Sequence, residues 1–264
     1  MTRAMARRDA YLLAGPTASG KSAAAALLAR RMGAAILSAD SMLVYKGMDV
    51  GTAKPSSGER AEFDMGGVDI VTPAEHFSSG AWLRAAARWL AAVPPDRPVV
   101  IVGGTGLYFS ALLRGLDRKW VLPPPEYPVL RLDRAVLHTR IAARLGEMLA
   151  DGAWLEEVRR LLKEYPTWSD TAEVAIGYRE LAGFIKDAKV VKELKGLDAV
   201  REKILVRTRQ LAKRQETWFR HQATALYVPV GETADETAEN VWRTWREKGP
   251  WQVCLPEEGE NDAS

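Results

Sequence analysis

The chain has a single cysteine, Cys254, in 264 residues. That excludes an internal disulfide framework and any zinc site built from several thiolates. No apolar run comes near the ~20 residues that cross a bilayer, so no membrane partner is expected. The first residues, MTRAMARRDA, are basic, but only YLLAG follows before a glycine-rich loop. That stretch is too short for a secretory core, and the loop comes too early to leave room for a transit peptide. No internal repeat is evident. Neither sign of charge dominates: the formal net charge of +3 is too mild to name a partner, so the placement of the charges matters more. A reducing cytoplasm is the expected setting. What is present is ordinary for a soluble globular protein, 47% hydrophobic and 27% charged, and long enough to bury a full core.

The first half alternates short apolar runs with helical patterns, which predicts a parallel α/β sheet. YLLA (11–14) reads as a buried strand, 21–32 as the next helix, closed by Gly33, and AAILSAD (34–40) as a second strand. A helix over 81–93 precedes a third strand, PVVIVGG (98–104). After the Pro-rich break VLPPPEYP (121–128) the pattern turns mainly helical. Ile141, Leu145, Met148, Leu155, Val158 and Leu161 form an apolar stripe, interrupted at Gly152. A helix is expected over 198–222, a late strand over 224–230, a last helix over 236–248 and a disordered tail over 256–264. The expected layout is an α/β core over 1–122, a helical region over 123–222 packing on it, a strand and helix over 223–250 completing the core, and a tail over 251–264.

The strongest local signal is LLAGPTASGKSAAAALL (12–28), which fits G-x-x-x-x-G-K-[ST] from Gly15 to Ser22. Its glycines let backbone N–H groups converge on an anion, Lys21 neutralises charge, and the Ser22 hydroxyl can hold a magnesium ion. The helix that starts there adds its positive dipole end. The predicted fold is therefore a parallel sheet flanked by helices of the P-loop NTPase-like type, with a mainly helical C-terminal half.

One expected residue is missing. A nucleotide hydrolase of this type carries an acidic residue at the end of another apolar strand, to hold magnesium and water. VVIVGG instead ends in Gly103 and Gly104. The carboxylate comes earlier, as Asp40, at the end of the strand that follows the loop helix. Ligands of open α/β sheets sit at that edge, so Asp40 should face the phosphate site, although a strand-end Asp also serves as a cap or turn former.

Four stretches in order carry a resemblance: GPTASGKS (15–22), SADSMLVYKGMDVGTAKP (38–55), VGGTGLYFSALLRGL (102–116) and RTRQLAKRQETWFR (207–220). Together they resemble the tRNA dimethylallyltransferases, also called tRNA isopentenyltransferases. VAIGYRE (174–180) and RIAARLGEMLADGAWLEEV (140–158) match the same family, and the resemblance spans roughly residues 11–222. It implies that the loop grips the diphosphate of dimethylallyl diphosphate, which leaves as the prenyl group passes to the exocyclic amine of an adenosine beside the anticodon. By the same resemblance Asp40 is the general base, Thr105 makes a contact near the reacting base and the diphosphate, and Lys21 with magnesium on Ser22 stabilises the leaving group. The diphosphate site comprises Gly15, Pro16, Thr17, Ala18, Ser19, Gly20, Lys21 and Ser22, joined by Arg209. The tRNA contacts fall on Asp40, Ser41, Met42, Leu43, Thr105, Gly177, Tyr178, Arg179, Lys213, Arg214, Gln215, Trp218 and Arg220. The glycines of GGTGLY allow either a close backbone approach or a tight strand-to-helix turn.

The C-terminal helix speaks to the partner independently. Residues 201–221 carry seven Lys or Arg against two Glu, so a basic stripe outweighs the acidic positions. Ile204, Thr208, Leu211, Gln215, Trp218 and Gln222 trace a seam, flanked by Lys203, Arg207 and Arg214 on one side and Arg209, Lys213 and Arg220 on the other. Such stripes suit the phosphates of a nucleic acid. Trp218 or Phe219 can stack on a base or fill core.

Two departures stand out. Pro123 to Leu130 stands where most relatives carry a helical insertion that grips the anticodon arm. FDMGGVDI (63–70) keeps only the Asp69-Ile70 end of the family's paired-His stretch. The sequence thus points to a compact bacterial-type tRNA dimethylallyltransferase, working as a monomer on the tRNA anticodon stem-loop with dimethylallyl diphosphate and Mg2+. An adenylate isopentenyltransferase acting on free nucleotide, a small-molecule P-loop kinase and a weakly active RNA-binding paralogue remain as alternatives.

Overall fold

The computed structural model describes residues 7–114, 125–187, 195–222 and 224–254. The tail expected over 256–264 lies outside them. In chain order the elements are β1 (Arg7–Ala14), α1 (Lys21–Met32), β2 (Ala35–Ala39), α2 (Ser57–Glu62), α3 (Ser79–Ala92), β3 (Val99–Gly103), α4 (Gly106–Arg114) and β4 (Tyr127–Arg131). They continue as α5 (Arg134–Ala150), α6 (Ala153–Glu164), α7 (Asp170–Glu173), α8 (Tyr178–Asp187), α9 (Lys195–Arg220), β5 (Ala225–Pro229), α10 (Ala234–Lys248) and β6 (Trp251–Cys254).

Five strands run parallel in the order β2-β3-β1-β4-β5, and β6 joins β1 antiparallel. β2 and β3 are buried at every position, which is why they read as continuous apolar runs rather than as alternating ones. Alternation still sorts the side chains of β1 between two cores. Leu13 joins Leu28, Ile36, Val100, Val241 and Trp245 under α1 and α10. Leu12 joins Leu37, Ile101, Phe109, Tyr127 and the helical half on the other face. Two buried indoles tie these layers to the sheet: Trp245 donates to the Leu12 carbonyl at 2.9 Å and Trp82 to that of Ser38 at 3.1 Å.

The helix boundaries have local causes. Gly33, at φ 64°, turns its N–H back onto Ala29 and Arg30 to close α1. Asp133 caps α5 by accepting from the Ala135 and Val136 N–H groups. Gly152, at φ 74°, separates α5 from α6 where the apolar stripe predicted a break. Of that stripe Ile141, Leu145, Val158 and Leu161 are buried, with Met148 and Leu155 packed against them.

Two strands differ from the sequence expectation. Residues 127–131 lie partly in the Pro-rich break, yet they pair with β5 along their whole length. Tyr127 N–H donates to the Thr224 carbonyl and Arg131 accepts from Val230 N–H, so alternate residues face β5 and Pro128 faces β1. There the ladder is the single bridge Ala14↔Val129, so the missing proline N–H disrupts little. Residues 251–254, expected as tail, form β6 on the first half of β1.

Candidate active site at the carboxyl edge of the sheet

The phosphate loop leaves β1, Asp40 follows β2 and Thr105 follows β3, so three neighbouring parallel strands deliver all three to one edge. Ala18 (φ 60°) and Gly20 (φ 87°) take left-handed backbone, which folds the loop over the start of α1. Ser19 is fully buried beneath it, and the Lys21 ammonium donates to the Pro16 carbonyl at 3.2 Å. Asp40 accepts from the Met42 N–H at 2.9 Å through one carboxylate oxygen, an Asx turn that starts the 41–54 loop. Thr105 ties the two strand ends together. Its N–H donates to the Ala39 carbonyl, its hydroxyl oxygen accepts from Ser41 N–H at 2.9 Å, and the hydroxyl donates to Ser41 Oγ at 3.2 Å.

The charges of the site converge. Burial pushes the Lys21 ammonium down to about 8, with Asp40 opposing that shift and Arg144 adding to it. Arg144, on α5, reaches Thr17 Oγ1 at 3.4 Å and the Thr52 carbonyl at 3.5 Å. One turn earlier, Arg140 lies 3.9 Å from where a Cβ on Gly20 would stand. Sequence reasoning assigned neither arginine a role, though RIAARL places them at i and i+4, on one helix face. Arg209 has a buried Nε with no partner, a donor waiting for an acceptor.

Several residues expected to touch RNA face inward. Tyr178 is fully buried; its hydroxyl donates to Glu157 and accepts from Gly51 N–H at 3.1 Å. Burial and then Glu157 push that phenol far above its usual range. Glu157, itself only 8% exposed, also accepts from the N–H groups of Asp49 and Val50. Burial raises its pKa, against the pull of these bonds. Gly177 and Gly51 both lie against the Trp154 indole, where a Cβ would overlap the ring. Trp154, Glu157 and Tyr178 therefore hold the 48–54 loop from below. Lys54, its side chain 1% exposed, fixes its far end through Asp49 at 2.7 Å and Asp69 at 2.6 Å.

On α9, Lys213, Arg214 and Arg220 are exposed, as is Arg179 on α8. Arg207, expected on the same stripe, is instead paired with the nearly buried Glu180 carboxylate. Phe219 is core, edge-on to Phe109 at 5.8 Å, whereas Trp218 is half-buried against Gly106. The real seam is rotated from the expected one and adds Leu205, Ala212 and Phe219. A groove of about 570 Å³ runs past Lys213, Arg214, Thr217, Trp218 and His221.

A parallel sheet that presents such a loop at its carboxyl edge places the chain in the phosphate-loop class, whose loops hold anions by backbone N–H groups. Residues 43–131 and 123–222 match the family model described as IPP transferase, and residues 8–64 that described as isopentenyl transferase. The tRNA dimethylallyltransferase of Synechococcus sp. (strain JA-3-3Ab) is 31% identical over 303 residues, covering 90% of this chain and 86% of the relative. That of Methylococcus capsulatus is 33% identical over 293 residues, covering 83% and 92%. Both alignments are longer than this chain, so both relatives carry residues that it lacks. The crystal structure of the tRNA delta(2)-isopentenylpyrophosphate transferase from Staphylococcus epidermidis shares the fold at a TM-score of 0.78 and 23% identity, covering 91% of this chain and 99% of that one. The chain belongs to the IPP transferase family.

Proposed function

We propose that the protein transfers a dimethylallyl group from dimethylallyl diphosphate to the exocyclic amine of an adenosine next to the anticodon of tRNA. The observation that carries this reading is the joining of a phosphate loop to a carboxylate and a hydroxyl, Asp40 and Thr105, across adjacent strand ends. The amine nitrogen attacks the first carbon of the allylic chain. The carbon–oxygen bond to diphosphate breaks, its electron pair leaves with the diphosphate, and Asp40 takes the proton from nitrogen. Backbone N–H groups at the glycine-lysine end of the loop, residues 20–22, with Lys21, Arg144 and Arg209, hold the charge that grows on the leaving oxygens. Thr105 orients the acceptor base beside Asp40.

The donor set at Ser22 fits a magnesium ion. Ser22 is exposed in the first turn of α1, and among the described residues no group of three or more His, Cys, Asp or Glu could hold a metal ion. An ion there would rest on the diphosphate, water and the Ser22 hydroxyl, which suits magnesium's preference for substrate phosphates. Bound there, it supplies charge neutralisation at the diphosphate.

The core, residues 1–122 with 223–250, carries the phosphate loop, which Arg144 and Arg209 join from the helical region; that region, residues 123–222, carries most of the RNA side. RNA approaches the exposed Arg179, Lys213, Arg214 and Arg220 and the half-buried Trp218, together with residues 40–43. A monomer suffices: among the described residues the exposed large hydrophobics Leu107, Val136, Val174, Val206 and Tyr227 fall on five different segments of the chain. No described helix is long and apolar enough to cross a membrane, and a cytoplasmic setting matches a tRNA substrate. The test is incubation with labelled dimethylallyl diphosphate and, separately, an anticodon stem-loop, AMP and ATP. Label on the stem-loop alone is the expected result. Label on AMP alone would replace this reading with nucleotide prenylation.

A further inference from the structure

Gln215 sits on α9 directly after the exposed pair Lys213 and Arg214, yet its own side chain turns into the protein. Its Oε1 accepts from Thr17 N–H at 2.8 Å, and its Nε2 donates to the Gly104 carbonyl at 3.0 Å. Thr17 belongs to the phosphate loop. Gly104 adjoins Thr105, which is bonded to Ser41 beside Asp40. One amide thus links the donor side of the site to the acceptor side, and both of its polar ends are used. The two bonds also fix its orientation, because only the oxygen can accept from Thr17 and only the nitrogen can donate to Gly104.

The glycines of the β3–α4 turn leave room for this contact. A Cβ on Gly104 would overlap Gln215 Nε2, and one on Gly106 would overlap the Trp218 ring. Positions 215 and 218 lie three apart, on one face of α9. The GGTG turn is therefore a seat for α9, and Gln215 is the polar peg in that seat.

We infer that Gln215 is a positioning residue, holding the phosphate loop in register with the Thr105–Asp40 acceptor edge; this rests on the transfer reaction proposed above. Thr17 is the third residue of the loop motif, ahead of the N–H groups at its glycine-lysine end. Gln215 can therefore fix the loop without competing for the diphosphate. Displacements of about 1 Å between reacting groups cost roughly 10²-fold in rate. The brace should accordingly act on turnover rather than on the affinity of either substrate.

The test compares wild-type protein with Gln215→Leu, which keeps the volume and removes both bonds, and Gln215→Glu, which keeps the acceptor for Thr17 and loses the donor to Gly104. Four quantities are measured: kcat on an anticodon stem-loop, affinity for an unreactive thiolodiphosphate donor analogue, stem-loop affinity, and hydrogen exchange at the Thr17 amide. Both variants should lose about 10- to 100-fold in kcat at saturation. Gln215→Leu should keep both affinities within about threefold of wild type, and Gln215→Glu should keep stem-loop affinity while its added negative charge weakens the donor analogue. Thr17 exchange should quicken in Gln215→Leu and stay slow in Gln215→Glu. Weakened stem-loop binding with normal kcat at saturation would make Gln215 a direct RNA contact and overturn the inference. Unchanged kcat in both variants would overturn it equally. Should Gln215→Leu fail to fold, Gln215→Glu decides by the same kcat criterion. Failure of wild-type protein to modify the stem-loop would instead refute the transfer reading, and the Thr17 exchange pattern would still report whether the brace exists.

Discussion

Raising the pH from 7 to 9.5 should weaken binding of an unreactive dimethylallyl diphosphate analogue by about 30-fold, through Lys21 alone. The free protein holds that ammonium at about 8, chiefly by burial. A bound diphosphate supplies the opposite charge and returns it toward the ordinary lysine value of about 10.4. The protonated form is thus the one that binds. Affinity is constant below pH 8, then falls nearly tenfold per pH unit until the bound-state value is reached. The donor's own phosphate protons are gone by neutral pH, since such groups titrate near about 6, so they do not confuse the window.

The neighbours of Lys21 provide controls of opposite sign. Asp40 raises its pKa and Arg144 lowers it. Asp40→Asn should therefore move the fall in affinity to lower pH, and Arg144→Met should move it to higher pH, whatever each does to affinity at pH 7. Lys21→Arg should abolish the fall, because guanidinium does not titrate in this range. Calorimetric titration in buffers of different ionisation enthalpy should show uptake of nearly one proton per donor at pH 9. Affinity that is flat from pH 7 to 9.5, with no proton taken up, would remove Lys21 from the diphosphate site.

Asp40→Ala should keep donor affinity and lose about 10²- to 10⁴-fold in turnover, the usual range for a general base; near-normal turnover in saturating donor would exclude it from the proton transfer. Tyr178→Phe leaves the Gly51 N–H without its acceptor and Glu157 without its phenol donor, and should cost about 1–3 kcal/mol in a urea unfolding titration. Loss of stem-loop binding with unchanged stability would instead make Tyr178 an RNA contact. Replacing Lys213 and Arg214 together by Ala should weaken stem-loop binding, with donor affinity intact. The log–log slope of affinity against salt should flatten by about 0.7–0.9 for every phosphate that the protein no longer neutralises. An unchanged slope would show that the two side chains meet no phosphate.

The strands that sequence reasoning located are those whose signal is entirely local. β2 and β3 are buried on both faces, so each reads as an apolar run whatever surrounds it. β4 carries a proline within five residues and follows others, a pattern that denotes a break until its neighbours are known. What permits Pro128 is the shortness of the β1–β4 ladder, with β6 occupying the first half of the same flank of β1. Those segments are more than a hundred residues apart, so no window around Pro128 contains the reason. β6 fails for a simpler cause: four residues after Gly249 and Pro250 carry too little periodicity to register.

The site divides along the same line. Asp40 and Thr105 follow strand ends and Lys21 opens α1 after the phosphate loop, positions that are visible in sequence. Residues on α9 are harder, because a helix shows its charge pattern but not which face meets the sheet. Its cations illustrate this: Arg207 is used by Glu180 and Arg209 has its Nε buried, while Lys213, Arg214 and Arg220 remain outside. A stripe that looks uniform therefore separates into an inner pair and an outer set. The glycines of GGTG show the converse. Their small size suggested a close backbone approach or a tight strand-to-helix turn; they do form the turn between β3 and α4, and it is Gln215 and Trp218 that fill the space over Gly104 and Gly106. A glycine in sequence states that something comes close, and only the packed helix says what. Here it is the helix with the outward-facing cations, so Lys213 and Arg214, which would hold RNA, lie within two residues along α9 of the amide that joins the two halves of the site.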